Sequence, residues 1–156
     1  LHQRQDAILC TCDGVNYLTT PDRARHFFRA AYAQLKPGGA LIFDVSTPEK
    51  LSGTLGDHTL GCQEEDISYI WQNAYHPRTR TVDMRLSIFV GDTDGRYQRL
   101  EETQTQRAHT LEELTKYLVE AGFADIRAYG KLTLRAPRPG DERWHIRAIR
   151  PKENAK

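Results

Sequence analysis

Hydrophobic positions in the first fifty residues predict a strand, a helix and a second strand. Asp6–Cys12 (DAILCTC) is a short apolar run that ends at the turn sequence DGVN, which favours a buried strand over a helix. Thr20 and Pro21 then start a helix, with a hydroxyl N-cap and proline in the first turn. The sequence KPGG ends this helix, and Ala40–Val45 (ALIFDV) is a second buried strand.

This order predicts a βαβ unit, whose two strands run parallel and are joined by a right-handed crossover. Both strands of such a unit end at the same edge of the sheet. The loops DGVNYLTT and DVSTPEK therefore meet at that edge, where open α/β sheets bind their ligands. The sequence places a candidate site between residues 13–20 and 44–50.

The middle of the chain alternates with a period of two, which predicts an antiparallel meander. Asp66–Tyr75 places Tyr69 and Trp71 on one face, and Thr81–Val90 alternates in the same way. The segment RYQRLEETQTQRA is a third, more polar strand. A meander of this kind has one face in contact with water.

The remainder of the chain predicts a helix and two closing strands. Thr110 and Glu113 form a capping box at the start of the helix, and the strands lie in FADIRAYG and ERWHIRAIR. We interpret residues 1–156 as a single domain that carries residues 60–108 as an antiparallel insert.

Composition narrows the classes of function that the chain can have. The chain has 156 residues, with 22 basic and 21 acidic side chains and a net charge of +1, so nothing points to nucleic acid. No apolar run approaches the roughly 20 residues that span a bilayer. Cys10, Cys12 and Cys62 are odd in number and indicate the cytoplasm. No Cys or His pair follows Cys12 at ligand spacing, so no metal site is predicted.

Three stretches, DAILCTCDGVNYL, LKPGGALIFDVSTP and TLEELTKYLVEAGF, occur in this order along the chain. Together they resemble the C-terminal part of class I methyltransferases that use S-adenosylmethionine, most closely the small-molecule branch similar to glycine N-methyltransferase. That family has seven strands in the order 3-2-1-4-5-7-6, and in this branch a meander follows the fifth. By the resemblance Asp6–Cys12 is the fourth strand and Ala40–Val45 the fifth.

The resemblance therefore implies an α/β fold, namely the C-terminal half of a Rossmann-like methyltransferase sheet (strands 4-5-7-6) with an inserted antiparallel β meander. The first three strands and the glycine-rich loop are expected to be absent. No G-x-G-x-x-G sequence occurs in these residues. The chain supplies one wall of a cofactor site and lacks the other.

The resemblance also implies roles for the loop after the first strand. Thr11 and Cys12 face the methionine part of S-adenosylmethionine, and Tyr17 lies near the cofactor. Asp13 attracts an amine substrate or acts as a base, and is the expected catalytic residue. A local turn held by the Asp13 side chain and packing of Tyr17 against the helix are the structural alternatives.

Substrate contacts are expected from Asn16 in the same loop and from Trp71 and Tyr69 on the meander, which roofs the pocket in the resembling enzymes. The alternative for the meander face is packing on the sheet or on a second subunit. Asp44, at the end of the second strand, orders the loop or serves as a structural carboxylate.

Two functions follow from these patterns. The first is methyl transfer from S-adenosylmethionine to a small molecule, with this chain supplying the C-terminal part of the catalytic domain. The second is a non-catalytic half-domain that binds a ligand or dimerises. A hydrolase or dehydrogenase would need a G-x-S-x-G elbow or a dinucleotide fingerprint, which the sequence lacks. Because strand 6–12 presents an apolar open edge, a homodimer through that edge is expected.

Overall fold

The computed structural model describes residues 3–152, which form two four-stranded sheets and two α-helices. The strands are β1 (Gln5–Cys10), β2 (Leu35–Ser46), β3 (Thr59–Gln63), β4 (Ile67–His76), β5 (Thr81–Gly91), β6 (Tyr97–Arg107), β7 (Ala124–Gly130) and β8 (Arg143–Ile149). The helices are α1 (Pro21–Gln34) and α2 (Leu111–Ala121). A 3₁₀ turn covers Gly14–Tyr17 and a π-helical segment covers Lys50–Leu55.

The first sheet has the strand order β1-β2-β8-β7. β1 and β2 are parallel, with Ala7 opposite Ala40 and Cys10 opposite Phe43, while β8 runs antiparallel to both of its neighbours. This is the 4-5-7-6 arrangement that the resemblance implied for these four strands. The parallel βαβ unit predicted from the hydrophobic pattern is confirmed, so the loops after β1 and β2 share one edge, here called the rim.

Both helices pack together and their apolar residues join the core of the first sheet. The core includes Phe28 of α1, Leu41 and Phe43 of β2, and Leu118 of α2, all at most 1% exposed. Both predicted helix starts are confirmed: the Thr20 hydroxyl accepts from the Arg23 amide at 3.3 Å, and a complete capping box begins α2.

The pattern predicted that KPGG lies between the helix and the second strand, and this prediction is wrong. The helix ends at Gln34, and Leu35 is already extended and paired with Gln5. The pairing register shifts before Ala7 resumes opposite Ala40, so the Pro-Gly-Gly residues form an irregularity inside β2. Gly38 takes φ +83° there, a conformation that favours glycine.

The second sheet has the order β3-β4-β5-β6, all antiparallel. The three predicted strands are present, and β3, which the pattern did not predict, adds a fourth along β4. The buried apolar residues of this sheet lie at the end nearest the rim, where Val82 and Met84 pack on Leu51 and Leu55 of the π-helical segment. We call this sheet the insert and the face that carries Trp71 and Met84 its inner face.

β1 is an edge strand, and the face of the first sheet opposite the helices is open in residues 3–152. Leu9 is 66% exposed and Ile42 is 38% exposed on that face. None of the described helices is long and apolar enough to cross a bilayer.

Candidate functional site

The rim begins where β1 leaves the sheet. Cys12 and Asp13 both have left-handed backbone conformations, with φ of 60° and 61°. Gly14 follows, and a Cβ there would lie 2.7 Å from Cys10 Sγ, so a larger residue would force the Cys10 side chain to move. The Asn16 amide then donates to the Asp13 carbonyl at 2.8 Å and closes the 3₁₀ turn. Strained residues of this kind often occur at functional sites.

Asp13 joins the ends of three strands. Its Oδ1 accepts a hydrogen bond from Ser46 Oγ at 2.9 Å, and its Oδ2 accepts from Arg143 Nη2 at 2.9 Å. Arg143 also pairs with the carboxylate of Asp44. The Asp13 side chain does not cap the turn that follows it, so the local-turn alternative is wrong.

Charges alternate across this network. Lys50 Nζ donates to Ser46 Oγ at 3.1 Å, while Ser46 donates to Asp13. The order is therefore Lys50, Ser46, Asp13, Arg143, Asp44, with two cations balancing two carboxylates. One oxygen, Asp44 Oδ1, is buried and has no hydrogen-bond partner among the described residues.

Asn16 links the rim to the insert. Its Nδ2 donates to the carbonyls of Ser46 and Arg107 at 3.0 Å each, and its Oδ1 accepts from the Ser46 amide at 2.9 Å. The residue is fully buried. All of these partners are backbone groups, so Asn16 fixes the distance between β2 and β6; its predicted contact with substrate is untested.

Tyr17 ends the same turn and is 40% exposed. Its hydroxyl donates to Gln104 Oε1 on β6. This contact gives a second connection between the rim and the insert.

A cavity of about 180 Å³, here called the acceptor cavity, lies between the rim and the inner face of the insert. Its lining residues are Cys12, Asp13, Tyr17, Ser46, Lys50, Leu55, Trp71, Met84, Gln104 and Gln106. It therefore brings together four residues singled out in the sequence: Cys12, Asp13, Tyr17 and Trp71. Tyr69, two residues before Trp71 on β4, is not among the lining residues.

A second cavity of about 410 Å³ opens on the uncovered face of the first sheet, lined by Thr11, Cys12, Asp13, Ile42, Phe43, Asp44, Arg143 and His145. Thr11 is present only here, and Cys12 and Asp13 line both cavities. Larger depressions of about 570 and 700 Å³ lie along the insert and along α1, but no residue of the Asp13 network lines them. The rim therefore divides the two cavities that its carboxylates face.

Sequence reasoning missed four residues that shape the site: Ser46, Lys50, Gln104 and Arg143. A signal was available for Ser46 and Lys50, because both lie in the loop predicted to meet the rim. Gln104 and Arg143 reach Tyr17 and Asp13 from 87 and 130 residues away, and no local pattern indicates such contacts.

His109 supports the rim from behind. It is fully buried, and both ring nitrogens lack a hydrogen bond of normal geometry, although they lie near the backbone of Val15 and Leu18. Burial, with the nearby Arg107 charge, lowers the pKa of His109 to about 4, so the ring is neutral at pH 7. Burial also raises the pKa of the Cys10 thiol on β1. No group of three His, Cys, Asp or Glu side chains among residues 3–152 has the geometry to hold a metal ion.

Similarity to known proteins agrees with this arrangement. No family model matches the sequence. The chain is 35% identical over 147 residues to a Bacillus subtilis (strain 168) protein named "Putative methyltransferase YqeM", which covers 94% of this chain and 59% of that protein. The chain thus spans about three fifths of the curated relatives it matches.

Two solved structures have the same fold over almost all of this chain. An S-adenosylmethionine-dependent methyltransferase from Clostridium acetobutylicum ATCC 824 superposes with a TM-score of 0.89 at 27% identity, covering 98% of this chain and 61% of that one. CalS10, an amino pentose methyltransferase from Micromonospora echinaspora, superposes with a TM-score of 0.74 at 22% identity, covering 96% and 60%. By sequence and by fold, almost the whole chain is similar to part of S-adenosylmethionine-dependent methyltransferases.

Proposed function

We propose that this chain supplies the acceptor side of an enzyme that transfers a methyl group from S-adenosylmethionine to a small molecule. The observation that carries the proposal is the convergence of Asp13, Tyr17 and Trp71 on one cavity of about 180 Å³ at the carboxyl ends of two parallel strands. The homology to methyltransferases agrees with it. A cavity of this size holds a small functional group and its neighbours.

The residues present fit one side of the cofactor. S-adenosylmethionine supplies an activated methyl group next to a positive sulfur, and its amino acid end carries an ammonium group. The rim offers the Asp13 carboxylate and the loop of Thr11 and Cys12, of which Cys12 lines both cavities. The unpartnered Asp44 Oδ1 is a further acceptor at the same edge. Carboxylates near a positive centre stabilise it.

Within the reaction, the chain's own residues orient the acceptor. Both oxygens of Asp13 already accept hydrogen bonds, from Ser46 and Arg143, so the carboxylate is held in one orientation. We assign to Asp13 the role of fixing an N–H or O–H group of the acceptor by its remaining lone pairs. Tyr17 and Trp71 form walls of the acceptor cavity, where they exclude water and hold the acceptor in place. A direct displacement depends mainly on such alignment of the reacting atoms.

Further parts of the proposal concern the whole protein. The first three strands and the glycine-rich loop would be supplied by sequence outside these residues, in line with the greater length of the relatives. We place the enzyme in the branch similar to glycine N-methyltransferase because its insert follows β2. We also propose a cytoplasmic location, in line with the free thiols of Cys10, Cys12 and Cys62.

Titration of the full-length protein with S-adenosylmethionine, followed by a screen for S-adenosylhomocysteine production with small amines and alcohols, tests the proposal. We expect Asp13→Asn to keep cofactor binding within a few fold and to lower kcat/KM by about 100-fold, as for loss of an orienting group in other sites. Asp6→Asn is the matched control, because this exposed carboxylate pairs with Lys36 at the other end of β1. Absence of cofactor binding by the full-length protein would refute the proposal.

The open edge of β1 supports a second, non-catalytic proposal, dimerisation. Leu9 is 66% exposed beside an unpaired strand edge. Sedimentation velocity on residues 1–156 should then show a dimer that Leu9→Lys converts to a monomer. A monomer that is unchanged by the substitution would rule this out.

A further inference from the structure

A smaller cavity of about 130 Å³ lies beside the acceptor cavity on the inner face of the insert. Its lining residues are Trp71, Met84, Leu86, Glu102 and Gln104, and three of these also line the acceptor cavity. The two cavities are therefore neighbours in one cleft that runs from the rim onto the insert. We call the smaller cavity the insert slot.

The strand register fixes the shape of the insert slot. Trp71, Leu86 and Glu102 are direct cross-strand partners on β4, β5 and β6, so their side chains form one row on the same face. Neighbouring strands lie about 4.8 Å apart, which separates β4 from β6 by about 9.6 Å. Leu86 forms the floor, and the indole and the carboxylate form opposite walls.

The carboxylate wall carries an uncompensated charge. Among residues 3–152 no Lys, Arg or His forms an ion pair with Glu102. Glu102 accepts a hydrogen bond from Gln104 Nε2, while Gln104 Oε1 accepts from the Tyr17 hydroxyl. These two bonds fix which end of the Gln104 amide faces Glu102, so a neutral donor orients the carboxylate without cancelling its charge.

An aromatic ring, a thioether and an aliphatic floor opposite a carboxylate form a surface that suits one class of ligand. A cation over an indole face is attracted by the ring quadrupole, most strongly when it is weakly hydrated. A primary ammonium needs hydrogen-bond acceptors on several sides, whereas an alkylated ammonium presents methyl groups that suit Met84 and Leu86. The charge of such a group is complementary to Glu102.

We propose that the insert slot binds an alkylated ammonium group of a small molecule, with Trp71 supplying the aromatic face and Glu102 the opposite charge. The slot opens into the acceptor cavity, so this group belongs to the methyl acceptor, a few bonds from the atom that is methylated. That placement rests on the proposed function, while binding of the ammonium group in the slot does not require methyl transfer.

Calorimetric titration of the full-length protein with choline and with 3,3-dimethylbutan-1-ol tests the proposal, because the two compounds have the same shape and only choline is charged. We expect choline to bind about tenfold more tightly than the neutral alcohol. Glu102→Gln and Trp71→Leu should each weaken choline binding about fivefold or more. Glu101→Gln removes the same charge one residue away on the opposite face and should leave choline binding unchanged.

Equal affinities for the two compounds would show that the slot is only an apolar depression and would overturn the proposal. So would undetectable choline binding, or equal effects of Glu102→Gln and Glu101→Gln. Thermal unfolding of each variant separates loss of the site from loss of the fold, and Glu102 is exposed enough for its variant to fold. Titration of the same samples with S-adenosylmethionine keeps this result separate from a failure of the proposed function.

Discussion

The two sheets differ in how they use their apolar side chains. The first sheet buries one face completely, with Leu41 and Val45 at 0% exposure against the two helices. Among the described residues the insert buries its apolar side chains at the end that touches the rim, and Leu60, Ile67 and Leu100 on its inner face remain 37 to 48% exposed. The first sheet therefore provides most of the apolar core, whereas the insert leaves apolar side chains accessible on its inner face. Four predictions test this division, from the largest expected effect to the smallest.

The same substitution in the two sheets gives the sharpest contrast. Leu41→Ala should lower the free energy of unfolding by about 2–5 kcal/mol, because it leaves a cavity in a close-packed core. Leu100→Ala should lower it by about 1 kcal/mol or less, since nearly half of that side chain is already in water. Urea unfolding of both variants measures the two values. Similar losses would mean that the insert contributes to the core as much as the first sheet does.

Acid should weaken the junction between the two sheets through His109. Its pKa is about 4 in the folded state against an ordinary value of 6.5, so protonation favours the unfolded chain. The contribution of neutral His109 to the free energy of unfolding is complete above pH 6.5 and is lost as the pH falls through 4. The loss amounts to about 3 kcal/mol.

Urea unfolding of the parent protein and of His109→Gln between pH 7.5 and 4 isolates this contribution, because other titrating groups are common to both. The difference in unfolding free energy between them should shrink by about 3 kcal/mol on acidification. A difference that is constant with pH would show that His109 titrates normally.

Asn16 should matter more than its size suggests. Asn16→Ala leaves the Ser46 amide and two carbonyls without their buried partner, at a cost of about 1–3 kcal/mol in unfolding free energy. Amide hydrogen exchange should quicken in the rim and at the end of β6, and less in the core of the first sheet. Asn16→Asp keeps the acceptor oxygen but places a buried carboxylate against the carbonyls of Ser46 and Arg107, so it should lower the unfolding free energy at least as much as Asn16→Ala. A smaller loss would contradict the importance of the donated bonds.

The helix caps provide the smallest comparison. Thr110→Ala removes one half of the capping box that begins α2 just after the insert, which should lower the unfolding free energy by about 1 kcal/mol. Thr20→Ala, in α1, breaks a single bond of 3.3 Å and should cost less. Thermal unfolding of the two variants ranks them. The reverse order would show that the N-cap of α1 contributes more to stability than the capping box of α2.

Much of the fold could be predicted from local patterns. The strands β1 and β2 and the hydroxyl caps of both helices are predicted by signals that act over a few residues, and the structure confirms these elements. The predicted burial of the first strand is wrong, because β1 ends at Cys10 and is an edge strand with no buried residue. β3 escaped prediction because its sequence, TLGCQ, contains glycine and shows no alternation. It exists because β4 provides a partner, which is a tertiary effect.

The site was predictable only in part. The meeting of the loops after β1 and β2 follows from topology, and this places Asp13 at the rim. The Asp13 partner Arg143 lies 130 residues later, in a strand whose position depends on the whole sheet. Likewise, nothing local indicates that Tyr17 meets Gln104. Prediction from local sequence patterns fails where a contact is made by side chains that are far apart along the chain.

Asn16 has a consequence for how such a protein diversifies. On the insert it holds the carbonyl oxygen of residue 107, an atom that every amino acid provides. Side chains along β6 can therefore be exchanged without releasing the insert from the rim. Sequence changes on the insert can therefore alter its surface while the attachment that aligns it stays the same.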